Sequence, residues 1–135
     1  MSVILQISYV PGSAMLAWSP EQSLEMARQM AVVPGLRWKL WTRDEAEGVW
    51  CGIYLFGAES AARVWERQAK ALLARFGAIG ITSQLFAVDE MQSRATRAPI
   101  PVGDNINRTV RQPEDAAHSA ICGGEDYRRN PIPEC

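Results

Sequence analysis

Apolar and polar residues alternate with a period of two near the start of the chain, which predicts a β-strand over Val3 to Val10. The pair Pro11-Gly12 ends this strand. A helix is predicted next, because Ser19 is a suitable N-cap, Pro20 stands at the first helical position, and Gln22 completes a capping box. At helical spacing, this helix presents an apolar stripe of Leu24, Ala27, Met30 and Ala31.

Four further elements are predicted in the first 90 residues. Leu36 to Arg43 and Ile79 to Val88 have the pattern of strands. Val49 to Phe56 is apolar on both faces, which predicts a central strand that is covered on both sides. In its middle, Gly52 leaves room for another group to approach the backbone. Ala58 to Phe76 has the apolar spacing of a second helix.

The strand over residues 36–43 divides its side chains between two faces. One face carries Leu36, Trp38 and Leu40. The other carries Arg37, Lys39, Trp41 and Arg43. We expect this second face to be solvated, as is typical of an edge strand. The alternative is that one of its cations holds an anionic group of a substrate.

The order strand, helix, strand, strand, helix, strand predicts an α+β fold, a ferredoxin-like βαββαβ sandwich with an antiparallel sheet and both helices on one face. The opposite sheet face is too apolar for water in either register. We therefore expect a second copy of the chain to cover it, which makes the protein a homodimer.

The remaining segment, residues 91–135, has a different composition from the domain predicted over residues 1–90. It holds five of the eight prolines and no Phe or Trp. Such a segment cannot build a core of its own. We predict an extended Pro-rich C-terminal arm that packs on the domain, lies on the partner subunit, or extends into solvent.

Composition and charge exclude several classes of function. The formal net charge is −1, so the basic face typical of nucleic-acid binding is not expected, and neither is a polybasic membrane anchor. No apolar run is long enough for a membrane-spanning helix. With three cysteines and one histidine, neither a metal site nor a disulfide framework is expected, and the default location is the cytoplasm.

Three stretches resemble one known family. They are the run from Pro34 to Thr42 (PGLRWKLWT), the run from Gly52 to Phe56 (GIYLF), and the run from Gln84 to Glu90 (QLFAVDE). Together with the opening strand, they are similar to the YdhR-type monooxygenases of the dimeric alpha-beta barrel superfamily, over about residues 3 to 91. That superfamily includes antibiotic-biosynthesis monooxygenases, which oxidise polycyclic phenols to quinones. The resemblance implies a dimeric barrel and a reaction that needs no cofactor.

The residues themselves favour an aromatic pocket between sheet and helices. Its candidate substrate-binding residues are Gln6, Ser8, Trp38, Trp50 and Trp65. The candidate catalytic residues are Tyr54, whose hydroxyl could donate to an oxyanion, and His118, which titrates near neutral pH. Each has a plainer interpretation: the tryptophans and Tyr54 as core or interface residues, Gln6 and Ser8 as groups that bond a neighbour, and His118 as a solvated residue of the tail.

The sequence leaves three functions open. The first is a cofactor-independent monooxygenase that acts on a planar aromatic or polyketide-like phenol. The second is an isomerase, cyclase or lyase that uses the same pocket and a Tyr or His for proton transfer. The third is a non-catalytic, ligand-binding dimer. Oxygen consumption and the mass of the product would distinguish them.

Overall fold

The computed structural model describes residues 1–102. It contains four strands and four helices within that range. The strands are β1 (Val3–Val10), β2 (Leu36–Asp44), β3 (Val49–Phe56) and β4 (Ile79–Ala87). The helices are α1 (Ser13–Leu16), α2 (Pro20–Met30), α3 (Glu59–Arg75) and α4 (Glu90–Ala95).

The strands form one antiparallel sheet in the order β2-β3-β1-β4. This confirms the predicted α+β, ferredoxin-like fold, with β1 and β3 central and β2 at an edge. The long elements begin and end within two residues of the predicted bounds. The predicted cap of α2 is also present, since the Ser19 side chain accepts from the Gln22 N–H and the Gln22 side chain accepts from the Ser19 N–H.

The helix-side face of the sheet carries the core. Alternate residues of β1 and β3 point to this face, where the largest fully buried side chains include Phe56, Leu5 and Ile7. Helix α3 covers them with the small residues Ala62 and Ala69. Because alanine has a short side chain, the helix lies close to the sheet and leaves little space there.

Strand β2 differs from its prediction because its pairing with β3 shifts by one residue near its start. Leu36 pairs with Phe56, but Trp38 pairs with Leu55, so two residues of β2 match one of β3. Leu36 therefore lies on the helix side, whereas Trp38 and the residues that alternate with it lie on the opposite side. The prediction that Leu36 and Trp38 share a face is wrong, since a bulge reverses the alternation between them.

Helix α2 also differs in which face it turns inward. None of its residues is buried, and Leu24 is 53% exposed. The half-buried positions are Ser23, Met26, Ala27 and Met30. The inward stripe is therefore displaced around the helix from its predicted position, and α2 forms a thin cover that contributes no fully buried side chain to the core.

The sheet face opposite the helices is partly apolar and partly exposed. Leu40 is 52% exposed, Phe86 is 42% exposed and Val10 is 38% exposed, and all three lie on this face by register. Exposed apolar side chains that share one sheet face are typical of a surface that another molecule covers.

The chain divides into two compact units, of which the first is Met1–Val88 and the second begins at Asp89. The predicted extended arm is wrong for its first residues, because α4 is helical over Glu90–Ala95. The Asp89 side chain caps this helix by accepting from the Gln92 N–H. Residues 103–135 lie outside the described residues, so the rest of the arm stays a prediction.

Candidate functional site

A cleft opens on the helix side of the sheet, between the edge strand β2 and the segment that carries α1 and α2. Its enclosed volume is about 60 Å³, which is smaller than the roughly 300–1,000 Å³ of usual small-molecule sites. The residues that line it are mostly aromatic, sulfur-containing or cationic. They are Tyr9, Met15, Trp18, Ser23, Met26, Lys39, Trp41, Thr42, Arg43, Trp50, Cys51 and Gly52. By register, the side chains of Thr42 and Cys51 point to the opposite sheet face.

Lys39 is the most unusual group of this cleft. Its Nζ lies 3.3 Å from the centroid of the Trp41 ring and 4.6 Å from the centroid of the Tyr54 ring. The same Nζ donates to Met30 Sδ at 3.1 Å. No carboxylate of residues 1–102 forms an ion pair with it. Burial among these apolar groups lowers the pKa of Lys39 to about 7.

Gly52 creates the space that the Lys39 side chain occupies. A Cβ atom at Gly52 would lie 2.9 Å from Lys39 Cε and 3.0 Å from Tyr54 Cε1. The prediction that another group approaches the backbone at this glycine is therefore confirmed, and the group is the lysine chain. A larger residue at position 52 would force this chain outward.

A second cation lies farther along the same edge. The guanidinium carbon of Arg43 lies 4.4 Å from the centroid of the Trp50 ring, which in turn meets the edge of Tyr9 at a centroid distance of 6.3 Å. Burial raises the pKa of Tyr9, and the nearby Arg43 opposes this shift. The Tyr9 phenol therefore stays neutral near pH 7 and can donate a hydrogen bond.

The structure brings only one of the predicted substrate-binding residues, Trp50, to the cleft wall. Tyr54 and Trp65 lie on the same side of the sheet, but they pack against each other in the core at 6.3 Å between ring centroids. Burial raises the pKa of Tyr54 to about 12. The Trp65 Nε1 atom is buried without a hydrogen-bond partner in the described part of the chain.

The other predicted site residues lie neither at the cleft nor beside Tyr54 and Trp65. Gln6 pairs with Ile53 and Ser8 with Cys51, so both lie on the sheet face opposite the helices, as does Trp38. Their expected placement in a cavity between sheet and helices is wrong, because β1 turns its odd-numbered residues toward the helices and the bulge turns Trp38 away. His118 lies outside the described residues.

The sequence predicted a solvated face for Lys39, Trp41 and Arg43, with the alternative that one of its cations holds an anionic group of a substrate. The structure brings all three to the cleft, so the solvated interpretation is wrong for the Lys39 amine. One signal was available: a tryptophan stands between two cations at alternate positions, and aromatic residues are uncommon on a fully wet face. No feature of the sequence indicated the register in which β2 pairs with β3.

Two other kinds of site are absent from residues 1–102. No helix there combines the length and the apolar character needed to cross a bilayer. Within the same residues, no group of three or more His, Cys, Asp or Glu side chains is placed to hold a metal ion.

The family model described as "Putative mono-oxygenase ydhR" matches residues 4–99. No curated protein matches the chain. The matched segment includes all of the four strands except Val3, together with the bulge in β2 and every residue that lines the cleft. Since the match covers well over half of the 135 residues, the chain belongs to the YdhR mono-oxygenase family.

Proposed function

We propose that this protein is a cofactor-independent monooxygenase that oxidises a planar aromatic or polyketide-like phenol with dioxygen. In the balanced reaction, a ring C–H becomes C=O, and the phenol becomes a quinone. One oxygen atom of dioxygen enters the product, and the other leaves as water together with the two hydrogens. The substrate supplies all four electrons.

The observation that carries the proposal is the aromatic wall of the cleft, in a chain that belongs to a mono-oxygenase family. Trp18, Trp41 and Trp50 border one opening and offer flat apolar surfaces to a flat ligand. Such a cleft removes ring surface from water and holds the ligand in a fixed orientation, which are the contributions that a reaction without a cofactor requires from its protein.

The predicted site residues take different parts in this proposal. Trp50 remains a proposed ligand contact, with Trp41 beside it. Tyr54 lies in the core beneath Lys39, so we propose that its ring supports that side chain. Trp65 supports Tyr54 from helix α3. The catalytic part expected of His118 stays a prediction.

The proposal is tested by oxygen uptake with a panel of phenolic polycycles, together with the mass of each product. A product heavier than its phenol by one oxygen and lighter by two hydrogens supports a monooxygenase. Trp41→Ala should lower kcat/KM about tenfold, which is the loss expected from one aromatic contact. Leu24→Ala is the matched control, because Leu24 is about as exposed as Trp41 but does not line the cleft.

One observation favours a second function, an isomerase or cyclase. Burial lowers the pKa of Lys39 to about 7, which suits a group that transfers protons at neutral pH. A product whose mass equals that of its substrate, formed without oxygen uptake, would support this function over the first. Saturable binding of the panel without any turnover would instead support a non-catalytic binding protein.

We also propose a homodimer in which a second copy covers the sheet face opposite the helices. Support comes from the exposed apolar residues Leu40, Phe86 and Val10 on that face, and Gln6, Ser8 and Trp38 would then lie at the interface. Leu40→Glu should convert the dimer to a monomer in light scattering, whereas Leu24→Glu, at a position of equal exposure on α2, should not. A wild-type protein that is monomeric at all concentrations contradicts the proposal.

A further inference from the structure

The charges that line the cleft are all of one sign. Lys39 and Arg43 are the ionisable cations, and no Asp or Glu is among the lining residues. Glu25 of α2 pairs with Arg28 of the same helix at 3.4 Å. A cleft with aromatic walls and no carboxylate favours a flat ligand that carries negative charge.

The surroundings of Lys39 make it the group that can accept a proton there. Its amine faces the rings of Trp41 and Tyr54 and the sulfur of Met30, and none of these groups is acidic. The lowered pKa of Lys39 leaves a large neutral fraction near pH 7. Once protonated, the ammonium is stabilised by the two rings it faces, which are 3.3 and 4.6 Å away.

We propose that the cleft binds its planar phenol as the phenolate, that the Lys39 amine takes the phenolic proton, and that the ammonium so formed holds the anion, with Arg43 adding positive charge to the same cleft. The O–H bond of the phenol breaks, an N–H bond forms on Lys39, and no electron leaves either partner. This inference rests on the proposed function for its ligand class. It adds the proton acceptor, and it adds a selection for acidic phenols over neutral rings of the same shape.

Other titratable groups around the cleft are less suited to this step. Tyr9 and Tyr54 have raised pKa values because of burial, so they are neutral donors near pH 7. Cys51 is among the lining residues, but it pairs with Ser8, so its thiol lies on the sheet face opposite the helices. Helix α2 contributes Ser23 and Met26 to the lining, neither of which titrates.

The test uses 2-hydroxyanthraquinone, a planar phenol whose visible absorption changes when it ionises. The dye is already a quinone, so its spectrum reports binding and ionisation without depending on oxygenation. The full chain is titrated with the dye about one pH unit below the midpoint that the dye shows in buffer. Wild type should bind the dye in its ionised form, with the midpoint of the bound dye lowered by about one pH unit or more, a tenfold change in ionisation.

Variants distinguish proton acceptance by Lys39 from a general effect of positive charge. Lys39→Met should bind the dye in its neutral form, and Lys39→Gln provides the same comparison if the methionine variant does not fold. Lys39→Arg keeps a fixed cation that cannot accept the proton, so it should release more protons to the medium per bound dye than wild type. Lys70→Met is the control, since Lys70 lies on α3 outside the cleft and pairs with Glu66 at 3.9 Å.

Three results would overturn the inference: dye that stays neutral on the wild type, equal ionisation on Lys39→Met, or no dye binding at all. Unhydroxylated anthraquinone that binds as tightly as the phenol would overturn the selection for acidic phenols. If the dye ionises on the protein but no phenol in the panel consumes oxygen, the proposed monooxygenase fails and the phenolate site stands.

Discussion

Replacing Lys39 by methionine should make the protein more stable at about pH 6. Burial lowers the pKa of this amine from 10.5 to about 7, a difference that corresponds to about 5 kcal/mol between its charged and neutral forms. The Trp41 and Tyr54 rings return about 1–2 kcal/mol of this through cation–π attraction. Partial contact of the side chain with water reduces the effect further. An increase of about 2 kcal/mol in the free energy of unfolding is the expected net result.

The gain in the free energy of unfolding of Lys39→Met should become smaller as the pH rises. In the folded chain the amine loses its proton near pH 7, whereas in the unfolded chain it keeps the proton until near pH 10.5. Unfolding therefore takes up a proton between these two values, and the stability of the wild type rises with pH across that window. Lys39→Met has no such group. Its advantage should be complete below pH 7 and should disappear toward pH 10.5.

Urea denaturation of the wild type, Lys39→Met and the control Lys70→Met measures this at about pH 6, 7.5 and 9. The control should follow the wild type within about 0.5 kcal/mol, because a partly exposed ion pair at 3.9 Å contributes little. A Lys39→Met protein that is less stable than the wild type at pH 6 would refute the reasoning. Parallel pH curves for these two proteins would refute it as well, because both results mean that folding does not lower the pKa of this amine.

Four further substitutions test other parts of the structure. Gly52→Ala should push the Lys39 chain outward and raise the pKa of its amine toward 10.5, as measured by NMR titration; an unchanged titration would contradict the described packing. Gly35→Ala should lower the free energy of unfolding by about 2 kcal/mol or more in thermal unfolding, because φ at Gly35 is +82° and a Cβ would lie 2.6 Å from an α3 side chain. Gly48→Ala is its control. It should cost only about 1 kcal/mol, because φ at Gly48 is +66° but the space around it is open. Ser19→Ala removes the cap of α2 and should cost about 1 kcal/mol in urea denaturation, and no loss would show that the cap is not used in solution.

The order of elements could be predicted from the sequence because each carries a strong local signal. β1 alternates cleanly, α2 begins with a complete capping box, and α3 has a long apolar period. The stretch that begins at Pro34 also carries enough of its family's pattern to be identified from the residues alone, and the match over residues 4–99 confirms that identification.

The composition of the site could not be predicted in the same way, because it depends on which face each strand turns inward. A strand that alternates tells which residues share a face, but not which face meets the helices. For β1 the inward set is Val3, Leu5, Ile7 and Tyr9, so Gln6 and Ser8 face away. The pKa of Lys39 depends on Met30, Trp41 and Tyr54 meeting around one amine, which only the tertiary fold brings about.

The bulge near Arg37 determines which alternate side chains of β2 face the cleft. Without it, the pairing of β2 would slip by one position, and Trp38, Leu40 and Thr42 would take the inward places that Lys39, Trp41 and Arg43 hold now. The edge would keep its length and its hydrogen bonds, yet the cleft would lose both cations. A single residue inserted or deleted at this point could therefore replace a cationic cleft by an uncharged one, in evolution or by design, and leave the rest of the fold unchanged.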